Sequence, residues 1–289
     1  MLVLLVTAIG SSGVQAADEK RRTATQQPGF SVKKANLSLR SGAVLVMDQN
    51  SGIPMLAKNT DQVMPIASIT KLMTAMVVLD SGLPLLESIT IDNEDVDRKK
   101  GSRSKLKVGT TLMRAEMMKL ALMASENRAA AALARNYPGG TAAFVAEMNR
   151  RAAELGMVNS RFSDSTGLSP YNVSTADDLV KLVEAAHHYP LIREYTTSDT
   201  FRIESEGKRR RHVLSYGNSN RLIKSASWEI GLSKTGYISE AGRCLVMQAM
   251  IADKPVIIVL LDSWGKLARI GDANRIKRWI EKDVLRIAG

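Results

Sequence analysis

With 45% hydrophobic and 24% charged residues along 289 positions, the chain carries enough apolar material for one large or two interlocked cores, which excludes a disordered polymer. The net charge of +11 predicts attraction to polyanions, yet aromatic residues make up only 4% of the sequence and do not interleave with the basic runs, which argues against nucleic acid. A single cysteine, Cys244, excludes an internal disulfide, and the three histidines, His187, His188 and His212, have no partners at zinc spacing, so neither a metal nor another cofactor is expected.

In chain order, residues 1–16 are an apolar run followed by small residues that end Val14-Gln15-Ala16, the pattern of a secretory signal peptide cut after Ala16. No Lys or Arg precedes the run, so either translation starts further upstream or the signal is atypical; an uncleaved anchor is the alternative, although the run is shorter than the ~18 apolar residues a spanning helix needs. Export predicts a periplasmic protein, with loose membrane association open. Residues 17–35 are polar and aperiodic and read as a flexible lead-in to a catalytic domain over 36–289. Ala43–Asp48 and Pro54–Lys58 read as two strands joined by the turn Gln49-Asn50-Ser51-Gly52.

From Pro65, expected at a first helical turn, apolar residues recur at helical spacing through Leu72, Met73, Met76, Val77 and Leu79 until Gly82 and Pro84. Helical blocks follow at Leu112–Ala124, Arg128–Asn136, Thr141–Leu155 and Ala176–His187, the last opened by hydroxyls at Ser174 and Thr175 with a carboxylate three residues on. The 14 methionines, spread along such stretches, read as adaptable core packing. Beyond Pro190 the pattern turns to strands at Thr200–Ser205, His212–Tyr216, Trp228–Lys234, Arg243–Ile251 and Val256–Leu261, and a closing helix carries Ile270, Ile276, Trp279 and Ile280. Cys244, within one of these strands, reads as a small buried apolar residue rather than a reactive thiol. The predicted class is mixed α/β of the α+β type. One antiparallel sheet is built from both ends of the chain, residues 36–83 and 190–289, with a helical insertion over 84–189.

Three short motifs carry chemistry. Ser68 and Lys71 stand three apart, which on a helix places a hydroxyl and an amine on one face about 5–6 Å apart. A nucleophile at a helix N-terminus also gains from the dipole as negative charge develops. Ser125-Glu126-Asn127 falls where an apolar helix would end and present polar groups. Lys234-Thr235-Gly236 sets an amine and a hydroxyl on a strand beside a glycine that lets a ligand backbone approach. Any one of these is weak; in this order, after an export signal, they match in order and kind, with Glu126 for the Asp, the set S-x-x-K, S-D-N and K-T-G.

The set resembles that of penicillin-binding proteins and serine β-lactamases. The contexts Ile66–Ala75, Ala124–Ala130, Arg161–Leu168 and Leu232–Tyr237 are similar to low-molecular-mass D-alanyl-D-alanine peptidases, and most of all to the penicillin-binding protein 7 type DD-endopeptidases, over about residues 36–285. The resemblance implies that Ser68 attacks the carbonyl of a D-alanine and is acylated, Lys71 takes its proton, and Ser125 relays a proton to the leaving amine. It further implies that Asn127 holds the substrate backbone, that Lys234, Thr235 and Gly236 bind the terminal carboxylate side, and that the backbone N–H groups of Ser68 and Tyr237 hold the oxyanion. A base of this kind needs a lowered lysine pKa, for which burial and the Lys234 charge are the expected causes. Glu126 stands in place of the Asp and, as the middle residue, need not face the site.

The implied partners are peptidoglycan peptide stems, with β-lactams as inhibitors. Between Asn127 and Lys234 no Glu has an Asn four residues on, so the deacylating pair of class A β-lactamases is missing and β-lactams should leave slowly. The longer carboxypeptidases carry a further C-terminal domain, whereas this sequence stops at Gly289, which favours an endopeptidase cutting D-alanyl to diaminopimelyl cross-links. A D-alanyl-D-alanine carboxypeptidase and a non-catalytic penicillin-binding or wall-binding module are the alternatives. The basic runs Arg98–Lys107 and Lys208–Arg211 predict electrostatic association with anionic wall or membrane surfaces, against the plainer reading of solvated loops.

Overall fold

The computed structural model describes residues 37–98, 100–206 and 211–288. Lys99, Lys208–Arg210 and the residues read from the sequence as a signal peptide and lead-in lie outside them.

The longest apolar runs build the sheet. Strands β1 (Ser41–Asp48), β10 (Gly242–Ile251) and β11 (Lys254–Ser263) are almost continuously apolar rather than alternating, because both of their faces are covered. With β2 (Ile53–Lys58) and β9 (Glu229–Ile238) they form a five-stranded antiparallel sheet in the order β2-β1-β11-β10-β9. Strand β1 pairs with β11 through contacts such as Val44↔Leu260, so both ends of the described chain share one sheet. Pro54, which cannot donate to a ladder, sits on the edge strand β2, and the register slips between Val46 and Met47 beside it.

One face, with Val44, Leu245 and Ile258, packs against the closing helix α7 (Ala268–Ala288), whose Ile276 and Ile280 are fully buried while Ile270 and Trp279 pack partly. The other face, with Leu45, Val246 and Val259, joins the helical core. At its centre is α1 (Lys71–Asp80), buried from Lys71 to Val78; a helix apolar on all sides belongs in the middle of a bundle. Around it stand α2 (Arg114–Met123), α3 (Asn127–Arg135), α4 (Gly140–Glu154), α5 (Ala176–His187) and α6 (Pro190–Thr197). Helix α5 begins as the sequence predicts, with the Thr175 hydroxyl accepting from the Asp178 N–H at 3.1 Å. Buried Cys244 makes only a weak thiol contact to the Ala241 carbonyl, at 3.4 Å, and burial pushes its pKa up to about 11.

Three expectations are corrected. Pro65 does not open a helix. It pairs with Val173 in a two-stranded ladder of β3 (Met64–Pro65) and β6 (Val173–Ser174), and a 3-10 turn over Ala67–Thr70 comes before α1. Pro190, read as the end of the helical part, instead starts α6, since a proline fits the first turn of a helix. The strands β7 (Thr200–Glu206) and β8 (Arg211–Gly217) form a hairpin of their own outside the main sheet, and a second small ladder, β4 (Ser88–Thr90) with β5 (Thr111–Met113), lies within the helical part.

Candidate active site

The site forms where the turn before α1 meets edge strand β9. Ala67 holds φ +48, a left-handed conformation rare for a residue with a side chain, and its carbonyl takes the Thr70 hydroxyl at 2.8 Å. Two glycines grip this turn. A Cβ on Gly167, itself at φ +79, would lie 2.0 Å from the Ala67 carbonyl oxygen. A Cβ on Gly236 would lie 2.9 Å from the Ile66 carbonyl oxygen and 3.1 Å from the Ser68 nitrogen. Only bare backbone fits at either place. Ser68 is therefore presented at the N-terminal end of α1, from a 3-10 turn rather than from the helix itself.

One residue into α1, Lys71 is fully buried and its Nζ has three partners: Ser68 Oγ at 2.8 Å, Asn127 Oδ1 at 2.8 Å and the Thr166 carbonyl at 2.5 Å. Burial lowers its pKa to about 7, against the opposing pull of Asp164 and then Glu126. A neutral amine has two N–H donors and one lone pair. With the two fixed carbonyl-type acceptors taking the donors, the lone pair faces the Ser68 hydroxyl, the arrangement a general base requires.

The opposite wall is β9. Lys234, also buried, reaches Ser125 Oγ at 2.9 Å and the Thr235 carbonyl at 3.0 Å. Its pKa is held well below the usual lysine range by burial, then by the charges of Lys71 and Arg269. The repulsion between the two amines, which the sequence reading counted for Lys71, adds to burial in opposing a state in which both are charged. Ser125 sits between α2 and α3 at φ +61, a strained conformation that turns its hydroxyl toward Lys234. Glu126 caps α3 by accepting from the Arg128 N–H at 3.3 Å, so its side chain serves the helix while its charge still reaches Lys71. The Thr235 hydroxyl meets Ser219 Oγ at 2.8 Å. A cavity of about 520 Å³ opens beside Asn127 and Thr166. No group of His, Cys, Asp or Glu among the described residues could hold a metal ion.

The sequence matches the peptidase S11 family, described as D-alanyl-D-alanine carboxypeptidase, over residues 27–265. The chain belongs to this family. It is 49% identical to a D-alanyl-D-alanine endopeptidase of Pseudomonas aeruginosa and 45% identical to one of Escherichia coli, in each case over 84% of this chain and 78% of the relative. Among solved structures, the Streptomyces K15 DD-transpeptidase superposes with a TM-score of 0.78 at 28% identity, over 84% of this chain and 97% of that one. The serine β-lactamase-like fold read from the sequence is therefore the fold of this peptidase.

All the motif residues of the sequence reading converge here. Ser68, Lys71 and Asn127 form one hydrogen-bonded group and Ser125, Lys234 and Thr235 a second. Gly236 packs on the turn, and Tyr237 follows it on the strand with an exposed ring stacked on Arg243. Five participants were not read from the sequence. The Thr166 carbonyl is aimed by Asp164, whose carboxylate accepts from the N–H groups of Thr166 and Gly167 at 2.6 Å each and from Ser169 at 2.8 Å. Arg269 donates to the Gly236 carbonyl at 2.7 Å and to that of Cys244 at 3.0 Å, bracing β9 from the start of α7. Ser219 and Ser102 contact Thr235 and Asn127. The signal for the first was the Asp164–Leu168 segment, already conspicuous as a resemblance but without a role.

Proposed function

We propose that the chain is a serine DD-peptidase of peptidoglycan whose preferred reaction is endopeptidic, the hydrolysis of D-alanyl to diaminopimelyl cross-links. Ser68 Oγ attacks the D-alanyl carbonyl while its proton passes to the Lys71 amine. The oxyanion is held by the N–H groups of Ser68 and Tyr237, donors of a kind worth roughly 2.7–4 kcal/mol each when removed. The C–N bond then breaks, and the leaving amine takes a proton from Lys71 by way of Ser125. Water afterwards attacks the Ser68 ester, giving the free carboxylic acid and restoring the hydroxyl. Asn127 holds the acyl-side backbone, and Lys234, Thr235 and Gly236 hold the carboxylate side of the leaving group. The observation that carries this reading is the buried Lys71 amine 2.8 Å from Ser68 Oγ with a pKa of about 7.

The endopeptidase preference rests on the two relatives of that name, far more similar than the D-alanyl-D-alanine carboxypeptidases DacF of Bacillus subtilis and DacC of E. coli at 30% and 28% identity. Digestion of purified cross-linked muropeptides tests it. Monomers should accumulate, and both they and covalent labelling by penicillin should vanish in Ser68→Ala. Free D-alanine from pentapeptides with dimers left intact would reassign the enzyme as a carboxypeptidase, and labelling without any product would leave a binding module. The secretory pattern of residues 1–16 supports a periplasmic location, the lack of a deacylating Glu–Asn pair between Asn127 and Lys234 supports slow release of β-lactams, and the net charge of +11 supports attraction to anionic wall or membrane polymers.

A further inference from the structure

Residues 100–107 form a strap beside Asn127 at the edge of the cleft, tied at both sides. Asp97 anchors its start by accepting from the Lys100 N–H at 2.9 Å and the Ser102 N–H at 2.8 Å. Near its end, Leu106 is fully buried and its carbonyl takes Arg128 of α3 at 2.6 Å. Toward the sheet and hairpin, Lys100 pairs with Glu240 in the β9–β10 turn and Lys105 donates to the Ser215 carbonyl at 2.7 Å. In the middle of the strap, half-buried Ser102 accepts at 3.0 Å from Asn127 Nδ2.

We propose that Ser102 is a positioning residue that sets the plane of the Asn127 amide, so that its second Nδ2 hydrogen is aimed at the acyl-side carbonyl of a bound substrate. The terminal torsion of an asparagine is broad and roughly two-fold, so its direction is decided by what its two ends touch. Asn127 Oδ1 is held by Lys71. A hold at one end leaves the amide free to rotate about that contact, and Lys71 changes its own proton count during each acylation. The Ser102 hydroxyl supplies the second point, and it stays put because the strap is fixed on both flanks. One of the two hydrogens on Nδ2 is spent on Ser102; the other is left for the ligand. The serine fills no core space, so its loss should change the direction of one hydrogen bond and leave the fold alone. This inference rests on the peptidase reading, in which Asn127 receives the substrate backbone.

The test compares acylation of the full chain by benzylpenicillin, which carries a side-chain amide carbonyl, with acylation by 6-aminopenicillanic acid, which lacks one. In Ser102→Ala the second-order rate with benzylpenicillin should fall about tenfold, the scale of one hydrogen bond, while the rate with 6-aminopenicillanic acid and the melting temperature stay at wild-type values. Ser102→Thr, which keeps the hydroxyl, should restore the benzylpenicillin rate. Equal losses on both compounds, or none on either, would overturn the assignment. Failure of the wild-type chain to react with either compound would instead remove the peptidase reading beneath it.

Discussion

Lys71 is the residue on which acid–base behaviour turns. With a pKa of about 7 its amine is protonated, and useless as a base, on the acid side of neutrality. The rate of Ser68 acylation should therefore fall about tenfold per pH unit below that value and level off above it; stopped-flow acylation across the range reads this directly. A profile flat through pH 7 would show that Lys71 is not the base. The same shift acts on stability. The unfolded chain keeps the Lys71 proton up to about 10.5 and the folded chain only to about 7, so between these limits the unfolded state binds more protons and stability rises with pH. Lys234 adds to the trend in the same sense. Denaturant melts at the two ends of the window should differ, and less so in Lys71→Met. At this scale the sequence was informative wherever function lies in side chains: Ser68, Lys71, Ser125, Asn127, Lys234 and Thr235 could all be named from their motifs. It was silent about Thr166, which contributes a carbonyl, because every residue has one and no letter in the sequence marks the carbonyl that is used.

At the scale of elements, the nucleophile turn is shaped from outside. Gly167 presses on Ala67 and is itself left-handed, so Gly167→Ala combines backbone strain with a collision against backbone that cannot swing away. Its cost should be about 1–3 kcal/mol of stability together with a loss of penicillin acylation. Gly236→Ala meets the same turn less severely and should remain folded while acylating poorly. Thermal melts paired with penicillin labelling separate the two; wild-type labelling in both variants would contradict the gripping role. Helix α5 was legible to the residue because it pairs a cap with a strong apolar period. The turn at Ala67 and the placement of Pro65 in a ladder were not. The turn is imposed by Gly167 and Gly236 and the ladder by β6, partners a hundred residues or more away in sequence. For the same reason the β7–β8 hairpin could be read as two strands but not assigned a sheet, since an alternating pattern records that one face is covered and not by what.

For the whole molecule, the net charge of +11 is the property that acts beyond contact distance. Part of the Arg98–Lys107 run is already committed, Lys100 to Glu240 and Lys105 to the hairpin, whereas Arg98, Arg103 and Lys107 are exposed beside the cleft. Co-sedimentation with isolated sacculi or anionic vesicles should decline steeply as salt rises and the Debye length shrinks from about 30 Å at 0.01 M to about 8 Å at physiological strength. Partition that ignores salt would count against electrostatic association. The central sheet also has a temporal side. Strand β1 is among the first parts of the described chain to be synthesised, yet its partner β11 lies near the other end, and Ser68 is made long before Lys234. A nascent chain of this protein thus holds a nucleophile without its opposite wall and a sheet missing the strand that joins its two sides. Neither the sheet nor the catalytic cleft can be complete until β11 and Lys234 have been made, so the ribosome finishes most of the polypeptide before any reactive serine exists.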